Sequence, residues 1–348
     1  MRIAANCSQL HAKSGDGIAV LTQNVLANID ADCYYHPLDN IPKFMLLASW
    51  YGWTYTGLST WLNIKKPDVL INFDVALPLY KPSVHILYDI VPLIVKDAMT
   101  KINTKVFGIL TQDAINRASK LVTISHSSRK EIERYYELED NTIKVIYPGY
   151  DREMFKPRYD SEVMKRYGIN KRYALFVGTL SLKKNIARII EAFHKADVED
   201  MELILIGQLY ALGGEDLEKL GKKNVRHLGY LPSEDLVVLL SNAAMFVWPS
   251  LHEGFGLPVL EAMACGCPVI TSNRSALPEV TCGAGILVDP YNVDEIAKAI
   301  KLLAGDRVLR SELIAKGLKR AKEFSWQRTA RELVETCEEV SRNKSRKK

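Results

Sequence analysis

The amino-acid sequence predicts an α/β protein built of two doubly wound domains, on three observations. Short β-branched or aromatic runs alternate with longer stretches of helical period from end to end, the pattern of parallel sheets covered by helices on both faces. At 348 residues the chain is about twice the length of one ordinary domain, so two cores are expected. A polar stretch with prolines and no strand pattern, PGYDREMFKPRYDSEVMKRYG, separates the runs into two sets.

The first set of strands is RIAAN, DCYYH, DVLINF, VHILY, KLVTIS and TIKVIY; the second is YALFVG, MELILIG, NVRHLG, AMFVWP, PVITS and GILVD. The linker falls near Asp151 to Gly168, which puts one domain at 1–160 and the other at 165–325. The last helical segment, SWQRTARELVETCEEVSR, covering about 326–345, is expected to pack back on the first domain.

Composition narrows the function classes. With 47 % hydrophobic and 25 % charged residues the chain is neither disordered nor low in complexity. The net charge of +5 is carried by the tail after Ser341, where Arg342, Lys344, Arg346, Lys347 and Lys348 stand without an acid. The body is therefore formally neutral and lacks the broad basic surface of a nucleic-acid binder. The tail is either a contact for anionic lipid or a frayed end. The closest cysteines, Cys265 and Cys267, fit no common zinc or redox spacing, so all are expected to be reduced thiols of a cytoplasmic protein. MRIAANCSQLHAK lacks the apolar core of a signal peptide, and no run reaches the ~18 apolar residues of a spanning helix. Phe44 to Ile64 is uncharged, but Ser49, Thr54, Thr56, Ser59, Thr60, Asn63 and two glycines make it too polar to span.

In doubly wound sheets ligands bind beyond the carboxyl ends of the strands, so the loops after strands carry the chemistry. After AMFVWP comes SLHEGFG and then LPVLEAMACG, with Pro258 suited to a first helical turn and Gly266 to the helix end. Gly254 and Gly256 let backbone N–H groups approach an anion, and the helix dipole favours phosphate. Glu253 opens this loop and Glu261 lies in the first turns of the helix. On a continuous helix they would stand about 12 Å apart along the axis, beyond the roughly 5 to 9.5 Å of a hydrolase pair. Complementary roles fit better, one carboxylate holding a ribose diol and the other a hexose. The ordinary alternative is a solvated Glu on each element.

Lys183 and Lys184 close the loop GTLSLKKN before the amphipathic stretch NIARIIEAF, where cations could neutralise a diphosphate leaving group without a metal. By itself such a pair is usually solvated surface. In SGDGIAVLTQNVL, Gly15 and Gly17 half match a dinucleotide fingerprint whose third glycine position holds Val20. A phosphate or sugar loop and a plain turn are equally supported. VHILYDIVPL ends a strand at Tyr88 and Asp89, while His85 faces the other side and reads as a packed residue. Asp30 and Asp32 read as a turn before the second strand, and no metal is expected there. Leu46, Leu47, Trp50, Trp53, Gly57 and Trp61 recur at helical spacing. Packing of that face against the first sheet is the preferred reading; an interfacial surface for a lipid-linked glycan is the other.

Together these motifs resemble the retaining glycosyltransferases of family 4. The resemblance is strongest in PSLHEGFGLPVLEAMACGCPVITSNRSALPEV, where Glu253 and Glu261 match the family's Glu-x7-Glu element. GTLSLKKN, LGYLPSEDL, VDP and FSW follow the family's order, and SGDGIAVLTQNVL, TISHSSRKEI and VIYPGYDREMFKP match more loosely. The resemblance implies the GT-B fold, two Rossmann-like domains facing each other across a cleft. It also implies that Glu261 binds the donor ribose and that Glu253 lies against the transferred sugar. Lys184, with Lys183 or Thr179, would meet the diphosphate. Backbone amides of Gly254, Phe255, Gly256 and Leu257 would complete the cradle, Tyr230 and Leu231 would hold the base, and Gly15 and Gly17 would close over the donor. Where the family commonly has His before Asp, this chain has Tyr88 before Asp89. A Tyr of ordinary pKa near 10 is a poor base, so Tyr88 is expected to orient a sugar hydroxyl.

The family is thought to retain configuration by front-face attack, with the leaving phosphate helping to deprotonate the acceptor. No protein nucleophile, metal or other cofactor is then expected. Similarity to bacterial polysaccharide mannosyltransferases favours GDP-mannose as donor, UDP-hexoses following, and a glycan or lipid-linked glycan as acceptor at the inner face of the plasma membrane. Two rival classes remain: a nicotinamide-dependent oxidoreductase on the Gly15 and Gly17 loop, and a noncatalytic sugar-nucleotide binder.

Overall fold

The computed structural model describes residues 1–7, 17–34, 52–95, 100–209 and 222–346. The chain divides into two compact units, Met1–Gly149 with Trp326–Lys348, and Tyr150–Ser325.

The first unit holds a sheet of β1 (Ile3–Asn6), β2 (Asp32–Tyr34), β3 (Val69–Asn72), β4 (Ser83–Ile86), β5 (Lys120–Thr123) and β6 (Lys144–Val145). All pairs are parallel, in the order β2-β1-β3-β4-β5-β6. Strands buried on both faces need apolar residues at every position, which is why they read as continuous runs rather than alternations. One face packs Ile3, Ala5, Val84 and Ile86 against Trp326, Leu333, Cys337 and Val340 of the helix Trp326–Arg346, whose spacing puts them on one stripe. Thr329 Oγ1 also donates to the Tyr147 carbonyl at 2.7 Å.

The opposite face packs Ala4, Leu70 and Leu77 against Leu58 and Leu62, with Trp61 partly buried beside them. These come from a wide turn, Thr54–Leu58, running into the helix Ser59–Lys65. Of the aromatic face expected from the sequence, Trp61 packs beside this core, Trp53 and Gly57 are half-buried outside it, and Leu46, Leu47 and Trp50 lie outside the described residues. His85 is fully buried on this face with its Nδ1 2.9 Å from Asn72 Nδ2. Burial, then the charge of Arg117, lower its pKa to about 4, so it is a neutral core residue.

The second unit holds β7 (Arg172–Val177), β8 (Met201–Ile206), β9 (Val225–His227), β10 (Met245–Trp248), β11 (Val269–Ser272) and β12 (Gly285–Val288), again all parallel, in the order β12-β11-β10-β7-β8-β9. From β7 the chain winds outward through β8 and β9, then returns to place β10 on the other side of β7. That reversal is the topological switch point where such sheets bind ligands. Trp248 at the end of β10 stacks on Phe176 and Phe246 at 4.8 and 5.6 Å between centroids.

The boundary between the units differs from the linker expected at 151–168. The first unit ends at Gly149, and the polar stretch that follows is folded into the second. Arg158 N–H donates to Ser241 Oγ at 3.0 Å, and Arg152 Nη2 donates to the carbonyls of Lys322 and Phe324 at 2.6 and 2.9 Å. The helix Ser161–Arg166 is pinned by the Arg166 and Tyr167 side chains on Asp235. The stretch resembles a linker because side-chain contacts and one short helix, rather than a strand ladder, hold it in place.

Among the described residues no helix is long and apolar enough to cross a membrane, and no group of His, Cys, Asp and Glu is arranged to hold a metal ion. Burial pushes the Cys265 thiol up to about 12 and raises that of Cys267 well above its usual value, which makes both inert packing residues.

Candidate active site

Two loops of the second unit meet at the switch point. The loop after β7 crosses a single 3-10 turn, Leu182–Lys184, and the loop after β10 runs from Pro249 to the helix Leu257–Ala264. Lys184 Nζ donates to Glu253 Oε1 at 2.5 Å and lies 4.6 Å from the centroid of the Trp248 ring. Ser250 Oγ donates to the same carboxylate oxygen at 2.5 Å. The backbone of Glu253 is fixed too, its N–H donating to Ser275 Oγ at 3.0 Å from the loop after β11.

Glu253 is 8 % exposed, and burial alone would favour its neutral form. The charges of Lys184 and then Lys183, with hydrogen bonds from Lys184 and Ser250, outweigh burial and hold the carboxyl below its usual range. It is an ionised, anchored anion at neutral pH. Glu261 is the contrast: on the helix and half-buried, its carboxyl is pushed up to about 7 by burial. The carboxyls of the Glu-x7-Glu element are thus shifted in opposite directions.

The turn into the helix depends on Gly256, whose φ of 102° lies in the left-handed region and whose missing Cβ would meet Leu277 Cδ2 at 2.6 Å. Phe255 is buried edge-on against Phe324 at 5.7 Å, so it offers the site its backbone and not its ring. Leu257 is the first residue of the helix. Gly178 makes a second tight approach, since a Cβ there would stand 2.6 Å from Trp248 Cη2.

The structure gathers Lys183, Lys184, Glu253, Gly254, Phe255, Gly256 and Leu257 on two neighbouring strand ends, with exposed Thr179 at the start of the first loop. Tyr230 and Leu231 follow β9, two strands out from β7, about 10 Å by sheet spacing. Tyr230 is 76 % exposed and Leu231 is buried.

Tyr88 and Asp89 belong to the first unit. The Tyr88 hydroxyl lies 3.5 Å from Thr22 Oγ1, and Asp89 Oδ1 accepts from Val91 N–H at 3.0 Å, at the start of the helix Val91–Ile94. Gly17 begins the helix Gly17–Leu26, and Gly15 lies outside the described residues.

Sequence reasoning passed over Ser250, Ser275, Asn185 and Trp248. Ser250 stands three residues before Glu253, a spacing that signals a side chain able to reach back. Ser275 carried no signal, because only the pairing of β10 with β11 brings its loop over Glu253.

Residues 161–320 match the family model of glycosyl transferases group 1. The O-antigen chain mannosyltransferase B of Escherichia coli is 37 % identical over 227 residues, 62 % of this chain and 59 % of its own length. The O-antigen chain mannosyltransferase RfbU of Salmonella typhimurium is 28 % identical over 305 residues, 85 % of this chain and 80 % of its own. The chain spans less than two thirds of the length of several curated relatives it matches. Sucrose-phosphate synthase from Thermosynechococcus elongatus, 19 % identical, superposes with a TM-score of 0.76 over 98 % of this chain and 99 % of that one. This likeness is one of fold, and the fold is GT-B. Residues 161–320, the stretch that matches the glycosyl transferases of group 1, hold Lys184, Glu253 and Glu261.

Proposed function

We propose that the protein is a retaining, metal-independent glycosyltransferase that moves mannose from GDP-mannose to a glycan or lipid-linked glycan acceptor in the synthesis of a cell-surface polysaccharide. The observation that carries this reading is the Lys184 to Glu253 pair at the switch point, an ammonium and a carboxylate set where a phosphorylated sugar would lie. The choice of mannose draws on the names of the two O-antigen relatives. The family match covers the Lys184 and Glu253 loops and not Gly15 and Gly17, so the oxidoreductase reading loses its footing.

In this reading the difficult event is departure of a nucleoside diphosphate, which accumulates negative charge as the sugar bond breaks. Lys184 and Lys183 meet that charge, and the amides from Gly254 to Leu257 add donors that need no reorganisation. Thr179 assists at the diphosphate. Glu261 accepts from the ribose hydroxyls, and the turn at Tyr230 and Leu231 takes the base. Glu253 holds the transferred hexose. Its charge is already bound by Lys184 and Ser250, which suits a positioning anion better than a nucleophile. The leaving phosphate itself then takes the acceptor proton. The first unit, with Tyr88 and Asp89 at the end of β4, is assigned the acceptor, Tyr88 orienting a hydroxyl. The proposed place of action is the cytoplasmic face of the plasma membrane, its support being the basic run from Arg342 to Lys348.

The test is nucleoside diphosphate release from GDP-, UDP-, dTDP- and ADP-sugars with chelator present, for the wild type and Glu253→Ala. Release from GDP-mannose that the variant loses is the expected result. Binding without release, even with glycan acceptors added, would favour the noncatalytic binder.

A further inference from the structure

Lys184 is tied on both sides to the loop that carries Glu253. On one side the Lys183 carbonyl accepts from Leu251 N–H at 3.0 Å. On the other, Asn185 donates through Nδ2 to the carbonyl of Pro249 at 3.0 Å and to that of Pro290 at 2.6 Å. Asn185 is 3 % exposed and sits at φ 67°. Its two acceptors lie after β10 and β12, so one side chain joins the ends of three strands.

An amide can serve two carbonyls only with its nitrogen turned toward both and its oxygen turned away. Arg188 enforces that orientation, because a guanidinium donates and cannot accept. Its Nη1 donates to Asn185 Oδ1 at 2.9 Å. Arg188 is itself held 5.3 Å from the centroid of the Tyr291 ring, and Tyr291 follows Pro290 in the chain. The contacts close a circuit from Arg188 through Asn185, Pro290 and Tyr291 back to Arg188. A flipped amide would set its oxygen against two carbonyl oxygens and release the loop on the Lys184 side.

We propose that Arg188 is a positioning residue for Lys184, acting through the Asn185 amide and without touching the donor. The proposal rests on the reading that Lys184 meets the donor diphosphate. An ammonium misplaced by about 1 Å can cost up to 10²-fold in rate, so a residue in the next helix can govern turnover.

The experiment uses the full chain and measures kcat, KM, nucleoside diphosphate affinity by calorimetry and thermal unfolding. The variants are Arg188→Met, Arg188→Lys and Lys184→Met, alone and combined. Arg188→Met keeps an aliphatic stem on Tyr291 and removes the donor to Asn185. We expect it to lower kcat about tenfold, with a small change in KM. Arg188→Lys retains a donor and should recover most of the loss. In the Lys184→Met background Arg188→Met should add nothing, since both act through one group. Asn185→Gly, which keeps the left-handed backbone without the amide, should reproduce the loss if Arg188→Met does not fold. Unchanged kcat in Arg188→Met, or penalties that add in the double variant, would overturn the proposal. If the wild type binds a nucleoside diphosphate and turns over no donor, the transferase reading fails. Arg188 is then judged on affinity, and equal affinity in Arg188→Met overturns its role.

Discussion

Lys184 Nζ and Glu253 Oε1 lie 2.5 Å apart although 69 residues separate them in sequence. The strand order makes the contact, since β10 passes over β8 and β9 to pair with β7 and brings the two loops side by side. The lysine also faces the indole ring of Trp248, which adds a cation–π contact. Lys184→Ala should therefore act on rate and fold together. Turnover should fall by about 10²- to 10³-fold, the usual loss for a charge-stabilising donor. Removing the ammonium also leaves Glu253 buried and uncompensated, at a cost of about 3 kcal/mol. The double variant Lys184→Met with Glu253→Gln should regain stability in a urea titration and keep the loss in diphosphate release. Recovery of turnover would contradict the assignment.

The opposite shifts of the two carboxyls give opposite pH dependences. Glu253 has a lowered folded pKa, so its stabilising contribution is complete above the unfolded value and is lost as pH falls through the folded one. Wild type should lose stability at acid pH more steeply than Glu253→Gln. Glu261 has a folded pKa raised from 4.5 to about 7, so the folded chain binds the extra proton and stability declines as pH rises through that window. Glu261→Gln should then raise Tm at pH 8 relative to wild type and change it less at pH 5. At pH 8 it should also weaken donor binding, because an ionised carboxyl accepts charge-strengthened hydrogen bonds from the ribose hydroxyls and a neutral amide accepts weaker ones. Calorimetry at the two pH values with a GDP titration checks both signs.

Gly256 offers a test of the loop separate from charge. Gly256→Ala forces a side chain into the left-handed region and against Leu277, at a cost of about 1–3 kcal/mol. Both the stability and the donor affinity should drop, because the amides after Glu253 turn with the residue. Gly283→Ala also strains a left-handed residue, at φ 82°, but meets no atom within 4 Å. It should cost stability and leave donor affinity intact, so equal affinity losses in the two variants would refute a special role for the loop.

Much of this architecture is legible in the sequence because burial on both faces writes a strand as an unbroken apolar run. MELILIG and DVLINF need no alternation to be recognised. Glu253 and Glu261 are legible for a related reason: the strand, the glycine loop and the helix that carry them are contiguous. Asn185 and Ser275 are not, because their meaning comes from partners on other strands, and no local spacing predicts which loops the sheet order will bring together. The polar stretch after Gly149 misleads in the same way. Its composition is that of a linker, and only the side chains of Asp235, Ser241 and Arg152 show that it is folded.

The helix Trp326–Arg346 carries the last prediction. It is distant in sequence from every strand it covers, yet its stripe of Trp326, Leu333, Cys337 and Val340 closes one face of the first sheet. Trp326 is 4 % exposed, and truncating a buried tryptophan costs about 3–5 kcal/mol. That is a large share of the 5–15 kcal/mol that typically holds a domain folded. Trp326→Ala should lower the unfolding midpoint of the first unit while the second, whose core contains none of this stripe, unfolds near its original midpoint. Two resolved transitions in calorimetry, with only one displaced, are the expected outcome. If both move together, the two units unfold as one cooperative system. If neither moves, the helix contributes little to the sheet it covers. Because Glu253 and Lys184 lie in the second unit, nucleoside diphosphate affinity should survive in Trp326→Ala at temperatures where acceptor-dependent transfer is lost.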